Sequence, residues 1–157
     1  MLEALNPSLY NDQITALERR YKVQLPQNIK LLYRWRNGQT ADESVFFVSG
    51  YRFFTLEEML LIRLDAEKNN YKLKQNQFPL FGTTTGFRSF ICYDQDGLYN
   101  HHPGEIFCYN HNEPFDEDIA PSLESFISAI NRYYENTPRK LMDEDFTIYF
   151  YGTKRTY

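Results

Sequence analysis

Two adjacent histidines, His101 and His102, are the side chains best suited to bind a metal ion in this sequence. Together with Glu105, Cys92 or His111 they would supply the nitrogen, oxygen and sulfur ligands of a zinc site. Adjacent residues of an extended segment point to opposite sides, so such a pair rarely provides two converging ligands. The HExxH and CxxC spacings are missing as well. We therefore predict a hydrophilic loop here, with no metal ligand and no cofactor.

The two cysteines, Cys92 and Cys108, would act as nucleophiles only if a nearby base converted them to thiolates. Both lie in aromatic-rich segments that are predicted strands, and burial favours the protonated thiol. We interpret them as small buried core residues. Two cysteines do not form a disulfide framework in a chain of this size, which favours a reducing cytoplasm.

Residues 82–86, with the sequence GTTTG, have the composition of a phosphate-binding loop. They lack the lysine and the clear strand-to-helix context of such a loop. A polar turn before a strand is the simpler interpretation.

Carboxylates are paired at Asp94 and Asp96 and clustered in residues 116–118 and 143–145. A hydrolase would need one carboxylate held in an apolar pocket, which raises its pKa. Because charge runs are usually solvated, we predict that the chain is not an enzyme. A small hydrolase is kept as a minority hypothesis.

Charge is unevenly distributed around a net value of −4. Residues 1–40 hold six basic and three acidic residues, a net of +3, whereas residues 113–145 hold nine acidic and three basic residues, a net of −6. A nucleic-acid-binding protein needs a concentrated basic face, which this pattern does not provide. An acidic surface favours a basic protein partner instead.

The acidic segment at residues 113–118 combines charge with one aromatic side chain that is expected to be exposed, a composition found at binding hot spots. The alternative interpretation is a solubilising loop whose charges favour the start of the next helix. The candidate partner-binding residues are Asp94, Glu113, Phe115, Asp116, Glu117 and Asp118.

No apolar run approaches the ~20 residues that span a bilayer. The N-terminal residues, MLEALNPSLYNDQ, lack the basic and apolar regions of a secretory signal. We therefore expect a cytoplasmic protein without a membrane partner.

Helix boundaries are indicated by capping residues. The first helix is predicted from Pro7 to about Arg20, and the second opens at Pro26 and closes at Asn37-Gly38. A capping box at residues 55–58 begins the third, which should bury Leu56, Met59, Leu60 and Leu64 and end at Asn69-Asn70. Ser122 should cap a fourth, strongly amphipathic helix bearing Leu123, Phe126, Ile127, Ile130, Tyr133 and Tyr134.

Strands are predicted at residues 45–48, 51–54, 87–93 and 105–109, with turns at Asp96-Gly97 and Pro103-Gly104. Phe146, Ile148 and Phe150 alternate with polar or tyrosine neighbours, which predicts a late strand. No linker or internal repeat divides the 157 residues. A single α+β domain with a mostly antiparallel sheet and flanking helices is therefore predicted.

Several of these segments occur in an order and spacing that resemble the SUKH superfamily. The N-terminal part carries Leu17-Glu18, Leu25-Pro26 and Asn37-Gly38, and the second half carries Phe78 to Gly82 before a hairpin. The resemblance covers about residues 8–135 of a single domain spanning residues 1–157, and leaves residues 136–157 as a C-terminal extension. The chain departs from the pattern at Tyr21-Lys22 and Thr83-Thr84-Thr85, where the superfamily often has glycine.

What the resemblance implies is a SUKH-like fold and a non-catalytic immunity protein, which binds and neutralises a toxin domain of a polymorphic toxin system. Such toxins are often cationic nucleases, which would fit the acidic part of the chain. The second function that the resemblance implies, ranked after the immunity protein, is a regulatory scaffold of the type that controls cell-wall assembly.

Overall fold

The computed structural model describes residues 5–40, 50–66, 68–83, 89–98, 101–111 and 117–136. Within them the chain forms four helices and five strands, which confirms the predicted α+β class. In chain order the elements are α1 (Asn11–Tyr21), α2 (Gln27–Trp35), β1 (Tyr51–Phe53), α3 (Leu56–Leu64), β2 (Gln77–Thr83), β3 (Ser89–Asp94), β4 (Glu105–Asn110), β5 (Glu117–Ala120) and α4 (Leu123–Asn136). None of the described helices is both long and apolar enough to cross a membrane.

The five strands form one sheet in which every strand pairs antiparallel with the next, in the order β1-β2-β3-β4-β5. The register between β2 and β3 shifts between Pro79 and Phe81. Proline has no N–H to donate to the sheet, so a bulge is one of the few places where a strand tolerates it. The predicted antiparallel sheet is confirmed.

A column of aromatic rings joins the helices to the sheet. Tyr33 of α2 stacks on Phe53 of β1 at 5.5 Å, and Phe53 stacks on Phe81 of β2 at 4.9 Å. Phe126 of α4 meets Phe81 edge-on at 5.5 Å. All four rings are fully buried. Rings bury large apolar areas and gain further from these geometries, so this column is the centre of the core.

Two helices begin as the capping residues predict. The Thr55 hydroxyl accepts from the Glu58 N–H at 3.2 Å, and the Glu58 carboxylate accepts from the Thr55 N–H at 2.8 Å. The Ser122 hydroxyl accepts from the Ser125 N–H at 3.1 Å. Each contact satisfies a backbone donor that has no partner within its own helix.

Four details of the helix predictions are wrong. The first helix begins at Asn11 rather than Pro7, and Gln13 accepts from the backbone N–H of Tyr10. Pro26 stands one position before α2. The third helix ends at Leu64, before Asn69-Asn70, and the side chain of Leu64 is exposed rather than buried with its neighbours. Leu64 is the last residue of α3, where the apolar stripe of the helix no longer faces the core.

β1 pairs with β2, and the described part of the predicted strand 87–93 is β3. The predicted strands at residues 45–48 and around residues 146–150 lie outside the described residues, as does Phe87.

Candidate functional site

The predicted partner-binding residues fall around β5, the last strand of the described sheet. Glu113, Phe115 and Asp116 lie outside the described residues. Glu117 is the first residue of β5, where only its backbone is described, and it pairs with Cys108. The side chain of Asp118 is 50% exposed. The structure therefore places an exposed carboxylate where the acidic segment enters the sheet.

Asp94 does not belong to this surface, and its prediction as a partner-binding residue is wrong. Its side chain is fully buried at the end of β3. The carboxylate accepts from the backbone N–H groups of Asp96 at 3.1 Å, Gly97 at 2.9 Å and Leu98 at 3.1 Å, and from the Gln77 amide at 2.9 Å. An aspartate two and three residues before Asp-Gly is typical of a side chain that builds the turn. Asp94 therefore holds the β3–β4 turn together.

A compact cluster lies beside Asp118. The ring of His101 is only 6% exposed, and its Nδ1 lies 2.9 Å from Oδ1 of Asp118. Glu105 is buried, and its carboxylate accepts from the His102 N–H. One ligand atom each from His101, Glu105 and Asp118 lies within 4.8 Å of the others. The His101 ring packs on Phe107 at 4.6 Å between centroids.

The sheet explains why these side chains meet. Glu105 and Phe107 are two positions apart in β4, so their side chains lie on the same face of the sheet. Phe107 is paired with Asp118 of β5. Gly104, with φ of 87°, donates its N–H to the Asp94 carbonyl at 2.7 Å and turns the chain into β4. The preceding loop thereby brings His101 onto the ring of Phe107.

The two adjacent histidines diverge, as their spacing predicts. His102 is exposed, whereas the His101 side chain is buried. The predicted hydrophilic loop is therefore correct for His102 and wrong for the side chain of His101. Sequence reasoning missed Asp118 as a neighbour of His101 because the two belong to segments that only the β4–β5 pairing brings together.

A groove of about 370 Å³ lies between α2 and α4, away from the cluster. Leu31, Trp35 and Ile127 contribute to its apolar lining, and Glu124 is at its edge. Leu31 is 51% and Trp35 39% exposed. Large apolar side chains grouped at a surface are typical of binding surfaces.

The other chemical candidates have structural roles. Cys92 is buried as predicted, whereas Cys108 is only half-buried and its Sγ lies 3.5 Å from the Tyr51 hydroxyl. Gly82 lies in β2, where a β-carbon would collide with the ring of Phe54. Close packing against that ring accounts for this glycine without a phosphate ligand.

A model of the SMI1 / KNR4 family (SUKH-1) matches residues 9–129. The matched range includes all five described strands and the first half of α4. A comparison with curated proteins finds no match.

Proposed function

The chain belongs to the SMI1 / KNR4 (SUKH-1) family, and from this membership we propose that it is an immunity protein that binds and neutralises the toxin domain of a polymorphic toxin system. At the level of the family, the function is of the immunity or regulatory type and is generally non-catalytic. The family match over residues 9–129 is the observation that carries the proposal.

A basic partner is supported by where the acidic charge lies. The described residues contain twelve acidic and twelve basic side chains, and the remaining nine acidic and five basic residues account for the net charge of −4. Four acidic residues fall in the segment 113–118 alone. We therefore propose the acidic surface, defined as Glu113, Phe115, Asp116, Glu117 and Asp118, as the contact for a cationic, nuclease-type toxin domain.

The proposed mechanism is occlusion of the toxin's substrate site, with the carboxylates occupying places that would otherwise bind phosphates. Complementary charge raises the rate of association about 10–10³-fold. The increase becomes smaller as the salt concentration rises, because salt screens the charges. Phe115 would act as the apolar anchor within the charged surface. Neutralisation in this form needs no catalytic residue on the immunity protein.

Calorimetry with the C-terminal domain encoded by the adjacent upstream reading frame tests the proposal. The variant D116K/E117K should bind this domain at least about tenfold more weakly, with a smaller dependence on salt, because two attractive charges become repulsive. The variant D12K/E135K is the matched control, since it reverses two exposed carboxylates on helices and changes the net charge equally.

Equal affinities for the two variants would contradict the acidic surface while leaving the immunity function intact. A groove variant, Leu31→Asp, then determines whether the contact lies between α2 and α4 instead. If the wild-type chain does not bind the toxin domain and does not protect cells that express it, the immunity function itself is wrong.

A regulatory scaffold of the cell-wall-assembly type is the second candidate, supported by the same family membership. The absence of a toxin gene next to this one would favour it. A small hydrolase is the weakest candidate, and activity screening with alanine at the exposed carboxylates would detect it. A cytoplasmic location is part of the proposal and is supported by Cys92 and Cys108, which are thiols rather than a disulfide.

A further inference from the structure

Three metal-binding groups, one imidazole and two carboxylates, converge at the end of the sheet. His101 comes from the loop before β4, Glu105 begins β4, and Asp118 lies on β5, with one ligand atom from each inside 4.8 Å of the others. An imidazole nitrogen with carboxylate oxygens is a ligand set that zinc accepts readily. The proximity alone would equally fit an ion pair, so the orientation of His101 is the deciding feature.

Nδ1 of His101 is buried and has no hydrogen-bond partner among the described residues. It lies 2.9 Å from Oδ1 of Asp118, which is close enough for an ion pair, yet the contact lacks hydrogen-bond geometry. The direction is more informative than the distance here, because the N–H or lone pair of an imidazole nitrogen is fixed in the ring plane. Buried polar atoms nearly always have a partner, so we infer that a bound group contacts this nitrogen.

The charge of Glu105 also favours a bound cation. Glu105 is only 8% exposed, and none of the ion pairs formed within the described part of the chain includes its carboxylate. Its described contact is the hydrogen bond from the His102 N–H. A buried carboxylate is stable when a cation or several donors compensate its charge, and a divalent ion would compensate Glu105 and Asp118 together.

We propose that His101, Glu105 and Asp118 bind one divalent transition-metal ion, and that Zn²⁺ is the ion best suited to them. Nδ1 of His101 would bind through its lone pair, and each carboxylate would contribute one oxygen. A water molecule would complete a tetrahedral shell on the side of Asp118, whose side chain is half-exposed. Ca²⁺ takes six to eight oxygen ligands and Mg²⁺ prefers to keep its waters, so both fit a three-ligand site with an imidazole poorly.

The expected role of the ion is structural. It would tie the loop at residues 101–104 to β4 and β5, two strands whose register already shifts between Ile106 and Phe107. An ion that binds only the folded chain stabilises it by RT ln(1 + c/Kd), where c is the concentration of free ion, so the stability rises with that concentration. This site requires no toxin and stands independently of the immunity function.

Titration of chelator-treated protein with ZnCl₂, followed by calorimetry and thermal unfolding, tests the site. One ion should bind per chain, and the melting temperature should rise with zinc concentration. Asp118→Asn should weaken zinc binding at least about tenfold and suppress that rise, because it removes a charged ligand from an exposed position that tolerates substitution. His101→Gln should have the same effect, and MgCl₂ should not replace ZnCl₂.

His102→Ala is the matched control, since this neighbouring histidine is exposed and lies outside the cluster. Its zinc affinity should equal that of the wild type. An equal loss of affinity in His102→Ala and Asp118→Asn would identify adventitious binding by surface side chains and overturn the proposal. The absence of saturable binding up to millimolar zinc would overturn it too, as would loss of binding only in a Cys92→Ser/Cys108→Ser variant.

Discussion

Gly38→Ala tests how closely the end of α2 approaches the start of α3. Gly38 has φ of 70°, and a β-carbon there would lie 2.5 Å from the carbonyl carbon and oxygen of Phe54 and closer still to the backbone nitrogen of Thr55. Gly50 has nearly the same φ, 73°, but a β-carbon on it would meet no atom of the described residues within 4 Å. The two glycines therefore share a left-handed backbone conformation and differ in their surroundings.

The expected loss of free energy of unfolding has two contributions, one from the left-handed backbone conformation and one from the close contact. A left-handed conformation costs an L-residue about 1–2 kcal/mol, and this applies to Gly38→Ala and Gly50→Ala alike. Overpacking adds about 1–3 kcal/mol, and the upper part of this range applies because backbone atoms cannot rotate away. Gly38→Ala should therefore lower the free energy of unfolding by about 3–5 kcal/mol, and Gly50→Ala by about 1–2 kcal/mol.

A backbone shift that relieves the collision at position 38 would also displace the next residue, Gln39. Gln39 donates its N–H to the Phe53 carbonyl at 2.8 Å, and its side-chain oxygen accepts from the Phe53 N–H at 2.9 Å. Both bonds are buried with Gln39, so a shift of the backbone would leave polar groups unsatisfied in the core.

Urea denaturation of the wild type and both variants, followed by circular dichroism, measures these differences by linear extrapolation. The slopes with denaturant should agree, since the same surface is exposed on unfolding in all three. If Gly38→Ala cost no more than Gly50→Ala, the close approach between Gly38 and the Phe54–Thr55 backbone would be wrong.

Substitutions of Asp94 and Glu58 test two carboxylates that each accept several hydrogen bonds. Asp94→Ala should lower the free energy of unfolding by about 2–4 kcal/mol because several donors lose their acceptor, whereas Asp96→Ala at an exposed position should cost under about 1 kcal/mol in the same urea series. Burial acts to raise the pKa of Glu58, but hydrogen bonds from Arg52 and Thr55 outweigh it and lower the pKa from its usual 4.5. The stabilisation from ionised Glu58 is therefore complete above pH 4.5 and is lost as pH falls through the lower pKa of the folded state, so the excess melting temperature of the wild type over Glu58→Gln should shrink below that pH. A difference that stayed constant from pH 7 to about pH 3 would contradict the assignment of Glu58.

The features that the sequence predicts correctly are governed by neighbouring residues. The Thr55–Glu58 box and the Ser122 cap each depend on a few consecutive residues and their hydrogen bonds. Such local preferences survive whatever the rest of the chain does. The start of α1 is one exception, because Pro7 permits a first helical position without requiring one.

β2 shows where the periodic pattern fails. Residues 77–82 of this strand are all buried, so no alternation of polar and apolar side chains marks it. Pro79 further suggests that the segment is not a strand, and only the register shift beside it makes the proline acceptable. The resemblance placed Phe78 to Gly82 before a hairpin, whereas periodicity alone gave no strand there.

Burial also separates acidic residues that look alike in sequence. Asp94 and Glu105 are paired across β3 and β4 and are both buried, whereas Asp118 is half-exposed. The charge of Asp94 is compensated by three backbone donors of its turn and by the Gln77 amide from β2. A count of carboxylates cannot reveal this difference, because it arises from which backbone N–H groups the folded chain brings near each side chain.

Asp118 belongs both to the acidic surface and to the proposed metal ligands, so the two proposals have opposite consequences for the same charge. As part of the acidic surface, Asp118 attracts a basic partner. As a ligand of Zn²⁺, its charge would be neutralised together with that of Glu105, and the local field would become less negative. A toxin contact centred on Asp118 would therefore compete with the metal, whereas a contact centred on Asp116 and Glu117 would tolerate it. For this reason the charge-reversal variant spares Asp118, and the metal-binding variants leave Asp116 and Glu117 unchanged.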